Sequence, residues 1–289
     1  MTGAGELFLI ATPIGNLADI TLRALETLRA CDLIAAEDTR TAKKLFQRYQ
    51  IQARLLSLHD NSTPQRLAEI LLQLQNGARI GLISEAGTPG ISDPGYRLLQ
   101  LVLDAGIRVT PLPGACAAIS ALCASGLPSD AFYFAGFLPV KPGLVRRRLE
   151  ALKNIEATLI FYESPRRLNA TLQLMAAVLG NRSACVAREL TKLYEEFLRL
   201  SLTELLAWGE KQEWRGEITL LVAGCDLKEY SRDPQRLLEE ELRLKNRLAD
   251  QVFTNGCSGR DLVGVLESEF PLLKRRRIYE LVNCYAHSE

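Results

Sequence analysis

The sequence predicts an α/β fold made of two α/β domains and a helical C-terminal tail, and three observations carry that expectation. Apolar β-forming runs alternate with amphipathic helical stretches over residues 1–125, the alternation resumes with shorter loops over 126–225, and residues 226–289 turn to charged helical sequence. With 289 residues, 47% hydrophobic and 24% charged, the chain has enough apolar side chain to bury cores of ordinary domain size.

Glu6–Thr12 is a short apolar run stopped by Pro13 and Gly15, as a buried first strand would be. The following PIGNLADIT leads into a helix with Leu22, Leu25 and Leu28 on one side. Ala11 and Pro13 stand where the three-glycine dinucleotide fingerprint needs glycines, so a conventional dinucleotide site is not expected. Leu33–Ala36 is a second strand and runs into Glu37-Asp38-Thr39-Arg40. Charges at a strand's carboxyl end mark either substrate contact or a helix N-cap; Asp38 or Thr39 suits the cap while the others face a cleft. Ser62–Asn76 is amphipathic, with Thr63 as cap, Pro64 in the first turn, and Leu67, Ile70, Leu71 and Leu74 on one face.

Arg79–Ile83 is the next strand, and Leu82–Gly95 (LISEAGTPGISDPG) is the stretch around which the chain is arranged. Its glycines and prolines leave a backbone that a ligand can approach closely, at the strand end where open α/β sheets bind ligands. An ordinary connecting loop is the alternative. Tyr96–Ala105 reads as a helix and Arg108–Leu112 as a strand. The small residues of Pro113–Ala118 let a helix N-terminus press on a bound molecule, or equally on the sheet. This makes four strand-plus-helix units before residue 126.

Gly126-Leu127-Pro128-Ser129 breaks the pattern and is the expected domain boundary. Phe132–Phe137 and Ala157–Tyr162 read as strands around the basic Arg146-Arg147-Arg148. In Glu163-Ser164-Pro165-Arg166-Arg167, Ser164 and Pro165 suit N-cap and first position of a helix carrying Leu168, Leu172, Met175 and Leu179. Cys185–Leu190 ends in Thr191-Lys192; Tyr194–Leu200 and Gly216–Ala223 are further strands around a helical Leu202–Trp208, in a more antiparallel second domain. Pro234–Phe253, Arg260–Phe270 and Lys274–Ala286 are three tail helices. Lys274-Arg275-Arg276-Arg277 either binds phosphate or is a solvated helix start.

A net charge of +1 excludes a continuous positive coat but leaves local basic islands. The seven cysteines are scattered without a C-x-x-C pair, which suits small core residues of a reducing compartment and gives no expectation of a metal site. No leader opens the chain and charges interrupt every apolar run short of about 18 residues, so a soluble cytoplasmic protein with no membrane segment is expected. His59 and His287 are not placed like catalytic bases.

Taken in order, ATPIGNLADIT, AAEDTRT, SEAGTPGISDPGY, PLPGACAAISALCASGLP, GFLP, FYESPRR, ARELTK and RGE resemble the tetrapyrrole methylase superfamily. Over about residues 6–225 they are most similar to its ribosomal RNA small subunit methyltransferase I branch. The resemblance implies two α/β domains of the tetrapyrrole methylase type, with S-adenosyl-L-methionine in the cleft between them, usually as a homodimer. It also implies methyl transfer to the 2′-oxygen of a cytidine of 16S rRNA, in the decoding region of the small ribosomal subunit. Carried over by motif, the cofactor would meet Ile14, Gly15, Glu85, Gly87, Thr88, Ile91, Ala115, Cys116, Tyr162, Glu163, Ala187, Arg188 and Gly216. The family's loop usually has Asp where this chain has Glu85, which reaches one methylene further.

Methyl transfer to oxygen is an in-line displacement, so alignment supplies up to roughly 7–11 kcal/mol, and the hydroxyl must lose its proton. Glu37 or Asp38 is the expected base or orienting group, and Lys192 and Arg40 are expected to stabilise alkoxide charge or hold a phosphate. A precorrin- or uroporphyrinogen-type carbon methyltransferase shares the fold and would want a broad apolar cleft, whereas EDTR, RRR, SPRR and ELTK suggest polyanion contacts. A non-catalytic RNA-binding assembly protein is the third reading, and the intact small-residue positions weigh against it.

Overall fold

The structure, a computed structural model, describes residues 5–59, 62–92, 95–226, 234–250, 259–270 and 273–286. Asp93 and Pro94 of the Gly/Pro loop, the end of the first expected tail helix, Gly256, Cys257 and His287 lie outside the described residues.

The first sheet is wholly parallel. Its strands β1 (Glu6–Ile10), β2 (Leu33–Ala36), β3 (Leu55–Ser57), β4 (Arg79–Ile83) and β5 (Arg108–Leu112) lie in the order β3-β2-β4-β1-β5. Strand periodicity sorts side chains to two faces. Phe8, Ile10, Ile34 and Ala36 pack with helices α1 (Leu22–Ala30) and α2 (Thr39–Tyr49). Leu7, Leu33 and Ala35 pack on the other face with α3 (Pro64–Gln75) and α4 (Tyr96–Asp104). β1 and its neighbour β4 therefore feed helices on opposite faces, which makes the crevice at their carboxyl ends the topological switch point. The strand β3, at whose exit His59 stands, has three residues at the sheet edge and is too short to show a period.

The second sheet holds β6 (Phe132–Phe137), β7 (Thr158–Glu163), β8 (Ser183–Arg188), β9 (Glu196–Ser201) and β10 (Ile218–Val222) in the order β6-β7-β10-β8-β9. Only β6 and β7 pair in parallel; the other pairs are antiparallel. One face packs α6 (Pro142–Leu152), α7 (Leu168–Leu179) and α8 (Leu202–Lys211). The other face packs α5 (Ala117–Ser125), whose Ala118, Ala121 and Leu122 are buried with Ile160, Cys185, Ala187 and Leu221. The break at Gly126, where a domain boundary was expected, is the left-handed C-cap of α5 (φ 78°). By packing, the chain leaves the first sheet one helix earlier, at Pro113–Cys116.

The helix expected to be capped by Ser164 begins instead at Leu168, and 164–167 is a turn. Glu163 Oε1 accepts the Ser164 N–H (2.8 Å), its Oε2 accepts the Thr171 hydroxyl (2.7 Å), and Arg167 donates to the carbonyls of Leu138 (3.0 Å) and Pro139 (2.9 Å). In the tail, α9 (Pro234–Asp250), α10 (Gly259–Glu269) and α11 (Arg275–Ala286) share a separate core of Leu244, Val263, Leu266, Phe270 and Ile278. The basic run at 274–277 is a helix start: Arg275 pairs with Glu267, Arg276 with Glu280, and Arg277 with Glu241 and Glu280.

Ala121 is fully buried whereas Cys123 is exposed on the same helix. Ala121→Leu should cost about 1–3 kcal/mol by overpacking α5 on the second sheet, and Cys123→Leu close to nothing. Urea unfolding followed by the fluorescence of Trp208 and Trp214, both in the second half, reads the difference; equal midpoints would contradict this packing.

Candidate active site

A cavity of about 820 Å³ lies between the switch-point loops of the first sheet and the near end of the second. Two backbone bonds, Thr12 N–H to the Gly87 carbonyl (2.9 Å) and Gly87 N–H to the Thr12 carbonyl (3.0 Å), tie the β1 loop to the β4 loop. Gly87 needs its positive φ of 82°, and a Cβ there would press on Ile14 at 3.3 Å. Thr88 then hydrogen-bonds the Ala115 carbonyl at 3.0 Å, fixing the loop against the start of α5. Across the mouth, the Asn16 N–H donates to Thr191 Oγ1 at 2.9 Å.

The acidic wall comes from the end of β2 and the β4 loop. Glu37 is half-buried and its Oε2 accepts the Glu85 N–H at 3.2 Å, so the backbone of one loop aims the carboxylate of another. Asp38 is the N-cap of α2, accepting the Arg40 N–H at 2.7 Å and pairing with the Arg40 guanidinium at 2.8 Å. The hydrogen bond from the Arg40 side chain, and then that from its backbone, hold the Asp38 carboxyl down at about 2. Asp38 and Arg40 are therefore committed to each other and do not line the cavity, whereas Glu37 and Lys192 do.

The basic wall is the loop after β8. Lys192 Nζ sits between Glu189 Oε1 (2.9 Å) and Glu217 Oε2 (3.0 Å). Partial burial opposes its charge, but hydrogen bonds to the two carboxylates outweigh it and raise the pKa, so Lys192 is an ammonium. The hydrogen bond from Lys192, followed by that from the Glu217 N–H, lowers the Glu189 pKa. A Cβ at Gly216 (φ 80°) would collide with the Glu189 side chain, and one at Gly15 with Lys192 and Thr191. Glu189 (φ 50°) and Thr191 (φ 65°) hold left-handed conformations that non-glycine residues adopt at a cost.

Of the residues carried over by motif, Ile14, Gly15, Glu85, Gly87, Thr88, Ile91, Cys116, Tyr162, Glu163 and Gly216 line the cavity. Ala115 contributes its carbonyl from behind Thr88. Ala187 is fully buried under α5, and Arg188 pairs with Glu196 at 2.5 Å and lines a second cavity. Thr41, Lys44, Phe137 and Glu217 also line the first cavity and were missed. Thr41 closes the AAEDTRT motif, and Lys44 follows from it by helix spacing, because residues three apart share a face; Glu217 lies in the RGE motif already singled out.

The family model for Tetrapyrrole (Corrin/Porphyrin) Methylases matches residues 6–206, so the parallel sheet whose switch-point loops meet a mixed sheet across one cavity belongs to a methylase of the tetrapyrrole type. The chain is 44% identical over 281 residues to the ribosomal RNA small subunit methyltransferase I of Micromonospora olivasterospora, covering 97% of this chain and 87% of that one. It is 52% identical over 256 residues to the protein of that name from Escherichia coli O157:H7, covering 85% and 88%. The chain belongs to the ribosomal RNA small subunit methyltransferase I family. Among solved structures, the uroporphyrin-III-C-methyltransferase of Thermus thermophilus shares the fold at a TM-score of 0.55 and 18% identity, over 76% of this chain and 94% of that chain. A diphthine synthase does so at 0.58 and 13%, over 76% and 90%.

The residues present fit a cationic methyl donor. The volume falls in the range of about 300–1,000 Å³ usual for small-molecule sites. Carboxylates of Glu37, Glu85 and Glu217 supply negative charge, and Ile14, Leu190 and Ile218 supply apolar wall. One residue before Pro13, the buried Thr12 hydroxyl has no hydrogen-bond partner among the described residues. Gly87→Val, which cannot keep φ at 82° without strain, should abolish donor binding in isothermal calorimetry while the far-ultraviolet spectrum stays native. Arg40→Ala, with a side chain 88% exposed and off the cavity wall, should bind like the parent. Wild-type affinity in folded Gly87→Val would remove this cavity from consideration.

Proposed function

We propose that the cavity binds S-adenosyl-L-methionine and that the protein, a cytoplasmic homodimer, methylates the ribose 2′-oxygen of a cytidine in the decoding region of 16S rRNA on the small ribosomal subunit. The observation that carries this reading is the pairing, in one cavity, of a carboxylate aimed by a backbone N–H with an ammonium fixed between two carboxylates. When bound, S-adenosyl-L-methionine supplies an electrophilic methyl group on a sulfonium.

Glu37 takes the proton of the ribose hydroxyl. The Glu85 N–H holds Oε2, and Oε1 has no partner among the described residues, so it is the oxygen available to the substrate. Lys192, being protonated, cannot act as base; Glu189 and Glu217 occupy two of its three N–H groups, and the third stabilises negative charge on the attacking oxygen. Exposed Lys44, Arg146 and Arg147 supply charge for phosphates. Arg167, in contrast, is spent on carbonyls and on Glu163. The β6–α6 segment exposes Phe137, Val140 and Leu144, apolar surface of the sort that a second subunit covers. Among the described residues no helix is long and apolar enough to cross a membrane.

Labelled S-adenosyl-L-methionine should mark unmodified small subunits far better than naked rRNA or a tetrapyrrole precursor, and the label should sit in alkali-resistant cytidine, because a 2′-O-methyl group blocks backbone cleavage. Label on the macrocycle, or only on base atoms, would sink the reading. In the same assay Glu37→Gln should lower kcat by about 10²–10⁴-fold and Lys192→Ala by about 10²–10³-fold. Asp38→Asn should leave kcat nearly unchanged; a loss matching that of Glu37→Gln would move the base to Asp38.

A further inference from the structure

A second cavity, of about 550 Å³, borders the first: Gly216 lines both, Lys192 lines the first, and its partner Glu189 lines the second. The methylation chemistry uses none of the other groups on its wall. Arg188 at the end of β8 is held by Glu196. Arg215 pairs with Glu213 at 2.8 Å, both side chains about three-quarters exposed (77% and 75%). Tyr194 is 72% exposed and follows Leu193 at 88%, an aromatic and an aliphatic side chain left in water beside a cleft.

We propose that this second cavity takes the nucleotide adjacent to the methylated one, its base stacked on Tyr194 and its phosphate held by Arg215. The proposal rests on the ribose-methyltransferase reading and adds the neighbouring subsite to it. A strand is continuous, so a ribose that reaches Lys192 places its neighbour one phosphodiester link away, and Gly216, which lines both cavities, marks the side on which the second one lies. Single-stranded RNA is gripped by stacking splayed bases on aromatic rings, and every base offers such a face. A guanidinium fork matches a phosphate. The Arg215–Glu213 pair is solvated at the surface, where such pairs are worth little, so a phosphate displaces Glu213 readily. Arg188, only 24% exposed and bound to Glu196, shapes the floor.

The test uses the full-length enzyme, unmodified small subunits and labelled S-adenosyl-L-methionine. Tyr194→Ala should raise KM for subunits by about tenfold, Tyr194→Phe should stay close to the parent, and donor affinity measured by calorimetry should hold in both. Arg215→Ala should flatten the log–log salt dependence of subunit binding by about 1, and Glu213→Gln, which frees the guanidinium, should lower KM. All three positions are exposed, and melting curves check that the variants fold. If the parent methylates cytidine ribose while Tyr194→Ala and Arg215→Ala keep its KM and its salt slope, the subsite is wrong and the ribose-methyltransferase reading stands. If the parent leaves cytidine unlabelled, both fall.

Discussion

Ile14 leaves the first sheet just past β1 and is buried among Ala118, Leu122, Cys185, Ala187 and Leu221, which belong to α5 and the second sheet. That apolar contact sets where the two sheets stand, and the cavity is the space left between them. Small side chains on α5 allow the approach, since Ala118 and Ala121 let the helix backbone lie close to the sheet. Cys185 serves there as a small apolar residue; burial pushes its thiol up to about 11, leaving it inert at neutral pH. Once this contact is made, the Thr12–Gly87 bridge and the Asn16–Thr191 bond place the loops without further packing.

Much of this was legible in the residues. Thr63 and Pro64 open α3 as their chemistry dictates, and Asp38 is a cap whose oxygen meets the Arg40 N–H. The Gly/Pro loop lies at the switch point, where its composition suggested a ligand. What the chain order hid was direction. Ala187 and Arg188 were both carried over to one ligand, yet neighbours on a strand face opposite ways: Cys185 and Ala187 pack under α5, Ala184 and Val186 under α7 and α8. Strand parity alone would have separated the two. The Glu163 turn was hidden differently: Ser164-Pro165 reads as a sound helix start, and the carbonyls of Leu138 and Pro139 that hold Arg167 in the turn lie far away in sequence.

Basic motifs misled for a related reason. A run of arginines says how many cations exist and nothing about their partners. Arg40 is bound to Asp38, Arg167 to carbonyls, and Arg275, Arg276 and Arg277 to glutamates. Lys44, which lies in none of the conspicuous motifs, is the cation that helix geometry brings to the cleft.

The tail's core of Leu244, Val263, Leu266, Phe270 and Ile278 includes no residue of either sheet among those described. A unit with its own apolar centre loses its structure cooperatively on its own terms, at a temperature set by its own burial. Heating this chain therefore drives more than one transition, and a single midpoint belongs to whichever part the probe watches. Calorimetric heat would sum the parts, whereas indole emission, with both tryptophans beside the second sheet, would be blind to the tail.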